Sequence, residues 1–306
     1  MSGQSIRLFL RLSRPAFLLG PLLTYALGLG IAHYLGHPLR SVVALLGLLW
    51  VSAMQLSTHY LNEYFDTEAD NRNQQRTWFS GGSGVLGDGD DQLPRHVALL
   101  AAASTLTLVA LATFGLGRLG ALDPAVAAIL LIGFLGAFFY SVPPLNLAAS
   151  GFGELITAAL VANLVPALAF TLQAGEVHRL LAMATFPLTG LHLAGILAFE
   201  FPDYASDLKF EKRTLLVRLG WQPAMLTHNL LLLESYAVLG LSYAVGLPTA
   251  IALPAFLTLP LAALQVWYMQ RIAQGIKPNW NALTLNAVAI MVDKVYLLAY
   301  AFWTRS

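Results

Sequence analysis

The chain has 306 residues, of which 57% are hydrophobic and 11% charged, and its mean hydropathy is +0.66. Soluble domains carry about 25% charged residues, so this composition excludes a soluble globular enzyme, a disordered protein and a nucleic-acid binder. It leaves a polytopic membrane protein. The net charge of +1 does not say where the charges sit, and the absence of cysteine removes disulfides, thiolate zinc sites and cysteine nucleophiles.

A membrane-spanning helix needs about 20 apolar residues. Nine such stretches follow in chain order, at about 15–35, 40–62, 96–117, 122–141, 151–173, 179–200, 222–245, 248–270 and 281–303. They are continuously apolar, without the alternation of a β-barrel. The first follows Arg7, Arg11 and Arg14 but is too long for a signal peptide and lacks a clear small-residue cleavage site, so it reads as a retained first helix.

Nine spans put the termini on opposite faces. The face with the N-terminus and the loops after the even-numbered spans takes most of the 17 Lys and Arg residues. The other takes Arg40, Arg118, Arg179 and Arg305, and Lys294 lies within the last span. The positive-inside rule then makes the N-terminus and the even-numbered loops cytoplasmic. Two of these loops are long and polar, about 62–95 and 200–221, and each opens with acidic residues at an equivalent place, a weak internal duplication.

In the first acidic run Asn62, Asp66 and Asp70 sit at i, i+4 and i+8; in the second Glu200, Asp203 and Asp207 sit at i, i+3 and i+7. On helices each set shares one face. Like charges stacked in this way repel. A hard divalent cation gives a reason to keep them, because Mg²⁺ takes carboxylate oxygens and completes its shell with water and substrate phosphates. One such run reads equally as a solvated membrane-edge loop; two at equivalent positions, each followed by cations, point to metal. Asp88-Gly89-Asp90-Asp91 lacks this spacing and reads as a solvated loop.

Arg72 and Arg76 follow the first run, then Trp78-Phe79-Ser80-Gly81-Gly82-Ser83-Gly84; Lys209, Lys212, Arg213 and Arg218 follow the second. Cations and glycine-supplied N–H groups both suit phosphate oxygens. Orientation alone accounts for some of these cations. Charged and polar groups within spans face a cavity or a partner; here they are His59, Glu154, Asn163, His192, Asp293 and Lys294. Asp293 and Lys294 read as a structural charge pair with other helices.

Asn62-x-x-x-Asp66-x-x-x-Asp70, and Asp203-x-x-x-Asp207 leading into Lys212-Arg213-Thr214-Leu215 and Val217-Arg218-Leu219-Gly220, resemble the paired signatures of UbiA-type intramembrane prenyltransferases. Tyr140-Ser141-Val142-Pro143-Pro144-Leu145 and the nine-span pattern match too, so the resemblance covers nearly the whole chain. Phe79-Ser80-Gly81-Gly82-Ser83, Gly151-Phe152-Gly153-Glu154-Leu155 and Glu200-Phe201-Pro202-Asp203 are most similar to the menaquinone-branch enzymes that prenylate 1,4-dihydroxy-2-naphthoate. Two departures stand out. Glu211 replaces a frequent glycine before Lys-Arg-Thr, and no Lys or Arg follows Pro-Pro-Leu until Arg179.

The resemblance implies an all-α membrane protein, one domain over 1–306, with nine transmembrane helices around a central cavity and both acidic motifs cytoplasmic. It implies a prenyl diphosphate, an aromatic acceptor and two Mg²⁺ ions. Asn62, Asp66, Asp70, Asp203 and Asp207 would hold the metal, the four aspartates being the catalytic set. Arg14, Arg72, Arg76, Tyr140, Lys209, Lys212 and Arg213 would hold the diphosphate, and Asn163 and His192 the acceptor. The expected location is a prokaryotic plasma membrane. Two other readings are a cyclase of the same fold, which needs no acceptor, and a cation-coupled transporter. A transporter would place its acidic residues near the bilayer midplane, whereas these lie at one edge.

Overall fold

The computed structural model describes residues 3–72, 75–89 and 91–305. Asp90, in the acidic glycine run, lies outside them; its neighbours Asp88 and Asp91 are exposed. Among the described residues every named element is helical, with a single isolated bridge between Leu86 and Leu93.

In chain order the helices are α1 (Gly3–Ser13), α2 (Leu19–Tyr34), α3 (Ser41–Arg72), α4 (His96–Arg118), α5 (Pro124–Phe138), α6 (Gly153–Ala159), α7 (Val165–Ala174), α8 (Arg179–Glu200), α9 (Tyr204–Lys209), α10 (Leu215–Leu219), α11 (Trp221–Ala244), α12 (Thr249–Ala255), α13 (Leu259–Ala273) and α14 (Trp280–Thr304). Short turns join α6 to α7 and α12 to α13, so each pair continues as one span. By length and composition eight helices can cross a membrane, and the fourth apolar stretch forms the shorter helix α5. At 1.5 Å per residue its 15 residues cover about 22 Å. It stops because the chain turns into Pro143-Pro144, where neither proline offers an N–H to continue a helical ladder.

The sequence reading missed α1. Its Leu12 is fully buried, Phe9 stacks on Tyr60 of α3 at 5.9 Å, and the Ser13 hydroxyl lies 2.8 Å from that of Tyr60. Arg14 then takes a left-handed φ of 46° and turns the chain into α2.

The core forms where α2, α7, α8, α11 and α14 meet, around Leu27, Ile31, Phe170, Leu188, Leu239 and Phe302. Glycine permits the closest approach: a Cβ on Gly28 of α2 would stand 2.2 Å from the Pro166 carbonyl oxygen of α7. Pro166 follows a π-helical turn, Leu160–Leu164, that places Asn163 in a widened segment.

Asp293 and Lys294, adjacent in sequence, point to opposite faces. Lys294 is fully buried; its ammonium donates to Ser235 Oγ at 2.8 Å and lies 3.7 Å from the Tyr236 ring centre. Asp293 is exposed. The buried cation thus meets a hydroxyl, an aromatic face and the nearby Glu234 carboxylate of α11, not Asp293.

Candidate active site

α3 is 32 residues long, about 48 Å, well beyond the ~30 Å of a bilayer core. Its last turns therefore carry Asn62, Asp66 and Asp70 past the apolar part of the bundle on an unbroken helix. α8 ends differently: Pro202 tightens Phe201–Asp203 into a 3₁₀ turn, and α9 resumes with Asp207. Phe201, buried edge-on against Trp221 at 5.0 Å, fixes that turn.

The two motifs face each other at one end of the bundle, and the loop after each one holds the other. Lys212, beyond the second motif, donates to Asp66 Oδ2 at 2.7 Å. The amide of Gly81, beyond the first, donates to Asp203 Oδ2 at 2.9 Å. Burial works against the Lys212 charge, but the Asp66 and Asp70 carboxylates outweigh it and raise its pKa above the ordinary lysine value.

Loop 75–89 is a folded cover rather than a solvated link. Val85, Leu86 and Leu93 are buried against Leu12, Tyr60 and Ala98. The Thr77 hydroxyl accepts the amides of Phe79 and Ser80. Glu63, one position off the metal face, accepts the Ser83 amide at 2.7 Å and the Ser83 hydroxyl at 2.5 Å, with Arg14 Nη1 at 3.6 Å. Gly82, at φ +67°, lets the loop pass directly over Asp70: a Cβ there would stand 2.0 Å from Asp70 Oδ2. That oxygen is buried without a hydrogen-bond partner.

A cavity of about 340 Å³ lies beneath this cover. Its polar lining includes Asn62, Asp66, Asp70, Asp203, Asp207 and Lys212, and its apolar lining includes Leu23, Ile196, Val288, Met291, Val292 and Val295. In the same lining Phe79 stacks on Phe199 at 6.0 Å and meets Phe17 edge-on at 5.8 Å.

The other expected residues divide. Arg14 lines the cavity, its guanidinium 4.3 Å over the Phe17 ring and 3.4 Å from the Phe79 carbonyl. Tyr140 and His192 also line it; His192 Nδ1 is 2.8 Å from the Leu188 carbonyl, a bond that directs Nε2 to act as acceptor in the neutral ring. Arg76 is bound to the Gly81 and Asp70 carbonyls and shapes the loop. Arg72, Lys209 and Arg213 are exposed and are not among the cavity residues; Arg72 packs on Phe210. Asn163 is not at the cavity either: its amide donates to Thr189 at 2.7 Å. Glu63 and Phe79 escaped the sequence reading as site residues; the Trp78-to-Gly84 run was the signal for the second.

The oxygens of Asn62, Asp66, Asp70, Asp203 and Asp207 are the hard donors a Mg²⁺ ion takes, and the unpartnered Asp70 Oδ2 is a buried acceptor still open. Among the described residues no three His, Asp or Glu groups already converge as a metal cluster; Lys212 engages Asp66 and the Gly81 amide engages Asp203.

Residues 21–288 match the UbiA prenyltransferase family. The chain belongs to that family. Among solved structures it resembles a UbiA homologue from Archaeoglobus fulgidus bound to GPP and Mg²⁺, with 17% identity over 95% of this chain and 99% of that one and a TM-score of 0.65. A digeranylgeranylglyceryl phosphate synthase matches at 14% identity over 97% and 98% of the two chains, TM-score 0.63. A UbiA homologue from Aeropyrum pernix K1 matches at 12% over 94% and 96%, TM-score 0.56. Curated protein sequences give no comparable match. The fold is therefore that of UbiA proteins.

Proposed function

We propose that this UbiA-family chain is a Mg²⁺-dependent prenyltransferase that moves an isoprenyl group from a prenyl diphosphate to an aromatic quinone precursor of the 1,4-dihydroxy-2-naphthoate type, in a nine-span bundle with its acidic end cytoplasmic. The observation that carries the reading is the polarity of the cavity. Its lining combines carboxylates and amides, Asn62, Asp66, Asp70, Asp203 and Asp207 among them, and the cations Arg14 and Lys212 with a set of aliphatic side chains, which suits a ligand with a charged head and an isoprenoid tail. The GPP and Mg²⁺ bound to the Archaeoglobus fulgidus homologue support the donor class. The naphthoate-type acceptor rests on the likeness of the Phe79–Ser83, Gly151–Leu155 and Glu200–Asp203 runs.

Asn62, Asp66, Asp70, Asp203 and Asp207 would hold two Mg²⁺ ions, which when bound neutralise charge on the diphosphate. Lys212, already charged and fixed among these carboxylates, donates to the diphosphate oxygens as the allylic C–O bond breaks and its electron pair leaves with pyrophosphate. Arg14, held over Phe17, is a second cation of the same cavity. Phe17, Phe79 and Phe199 line the same cavity, where an aromatic ring can attract a carbocation, and the loop passes over Asp70. The acceptor ring carbon then bonds to the allylic carbon, and its ring proton passes to the released pyrophosphate, which is the base the reaction itself supplies.

Mass spectrometry of products from purified protein given Mg²⁺, prenyl diphosphates and quinone precursors tests this. Prenylated aromatic product is expected. A cyclised hydrocarbon formed without acceptor would mark a cyclase.

A further inference from the structure

A second chamber, of about 50 Å³, lies between α3, α5 and the span made by α6 and α7. Pro21, Gln55, Ala137, Leu160 and Val161 line both it and the main cavity, so the two spaces meet at these residues. On each of the three walls the shared residues lie at one end. The lining runs from Gln55 to Trp50 along α3, from Ala137 to Ile129 along α5, and from Leu160 to Leu168 through the π-helical turn into α7. On α3 that direction leads away from Asn62, so the chamber prolongs the cavity away from the acidic motifs. At 1.5 Å per residue, Gln55 lies about 10 Å and Trp50 about 18 Å along the helix from Asn62.

Trp50 is 5% exposed, and its indole N–H donates to the Thr113 hydroxyl at 3.1 Å, which fixes the ring. Gly133 faces it: a Cβ there would stand 3.1 Å from Trp50 Cη2 and 3.2 Å from Leu164 Cδ2. Glycine thus keeps the middle of the chamber open. Beyond Gln55 every lining side chain is apolar or, as in Trp50, has its polar group engaged. Such a space stays dry and takes hydrocarbon. One water needs about 10–15 Å³, so 50 Å³ takes about four methyl-sized groups, close to one isoprenyl unit. Each isoprenyl unit adds four chain bonds, about 5 Å when extended. From a diphosphate held at the level of Asn62, two units reach the mouth at Gln55, a third enters the chamber and a fourth meets Trp50.

We infer that this side chamber is a length-selective subsite for the third isoprenyl unit of the donor, with Trp50 as its floor, so that the chain is matched to a farnesyl donor. The inference rests on the prenyl-diphosphate reading above and narrows it.

Calorimetry of the full-length protein with Mg²⁺ and the non-cleavable geranyl, farnesyl and geranylgeranyl thiodiphosphates tests it. Each variant is compared with wild type in one detergent, so that partition of the tails into micelles cancels. Gly133→Ala, which puts a methyl group into the chamber, should weaken farnesyl binding about tenfold and leave geranyl binding within about twofold, the scale on which an apolar pocket senses one methylene. Trp50→Phe, which lowers the floor, should raise geranylgeranyl affinity relative to farnesyl about tenfold. The two variants act in opposite directions on longer tails, which a general loss of stability does not do. Equal falls for geranyl and farnesyl in Gly133→Ala, an unchanged farnesyl affinity there, or an unchanged geranylgeranyl-to-farnesyl ratio in Trp50→Phe overturns the inference. If Gly133→Ala does not fold, the Trp50→Phe ratio decides alone. Wild type that binds none of the three defeats this inference and the donor reading together; wild type that binds all three while the variants leave the ratios unmoved defeats the inference only.

Discussion

The ammonium of Lys212 lies 2.7 Å from Asp66 Oδ2, across 146 positions of sequence, and the Gly81 amide reaches Asp203 across 122. Each acidic motif is thus braced by the loop that follows the other. The two halves cannot separate at this end without breaking charge-assisted hydrogen bonds, which are roughly twice as strong as neutral ones.

The brace places Lys212 where it can turn from Asp66 to a diphosphate. Lys212→Ala should lower kcat about 100-fold or more, the scale for removing one preorganised donor to developing charge. Lys212→Arg, which keeps the charge, should recover part of it. Turnover by Lys212→Ala within about threefold of wild type would take this residue out of the reaction.

Gly82 and Gly175 both have left-handed φ, +67° and +72°, but only Gly82 has a neighbour where a Cβ would go. An alanine in that region costs about 1–2 kcal/mol. Both Gly→Ala variants should lose Tm in detergent, and only Gly82→Ala should also lose activity, because it pushes the cover off Asp70. Equal activities would mean that the loop's passage over Asp70 does not matter to turnover.

Glu211 sits at φ 55°, a left-handed conformation that glycine adopts without strain. Glu211→Gly should match or exceed the wild-type Tm, and Glu211→Val should melt below it, since a β-branched residue resists this region. Thermal unfolding of the pair decides, and a valine variant as stable as the glycine one would contradict the strained turn.

Lys294 is held by Ser235 and Tyr236 away from the cavity residues. Replacing a buried charge by an apolar side chain of similar length is often neutral, whereas removing the Ser235 hydroxyl leaves the buried ammonium without its shortest hydrogen bond. Ser235→Ala should therefore lower Tm more than Lys294→Met, and Lys294→Met should keep its activity. The reverse order of Tm values would show that the cation itself contributes net stability.

The apolar spans, the acidic faces and the turn-forming glycines were legible in the sequence because each is a local pattern. Asn62, Asp66 and Asp70 share a face by helical period alone. Glu63 was not legible: one residue on, it points about 100° away, and its role exists only because Ser83 folds back onto it. The exposed positions of Arg72, Lys209 and Arg213 were equally hidden, since a basic residue at a membrane edge looks the same whether it faces solvent or site. α5 ends short of the fourth apolar stretch because apolarity continues to Val142 while the backbone, at Pro143-Pro144, does not. Asn163 lies in an apolar run, but the π-helical turn directs its amide to Thr189.

The most direct measurement is product formation by the purified chain with a prenyl diphosphate and an aromatic acceptor, with Mg²⁺ or with excess EDTA, for wild type, Asp66→Ala and Asp203→Ala. The expected result is prenylated acceptor only from wild type with Mg²⁺, and both variants folded but inactive. Product that persists in EDTA, or near-normal rates in either aspartate variant, would contradict the assignment of the two facing motifs as a metal–diphosphate site.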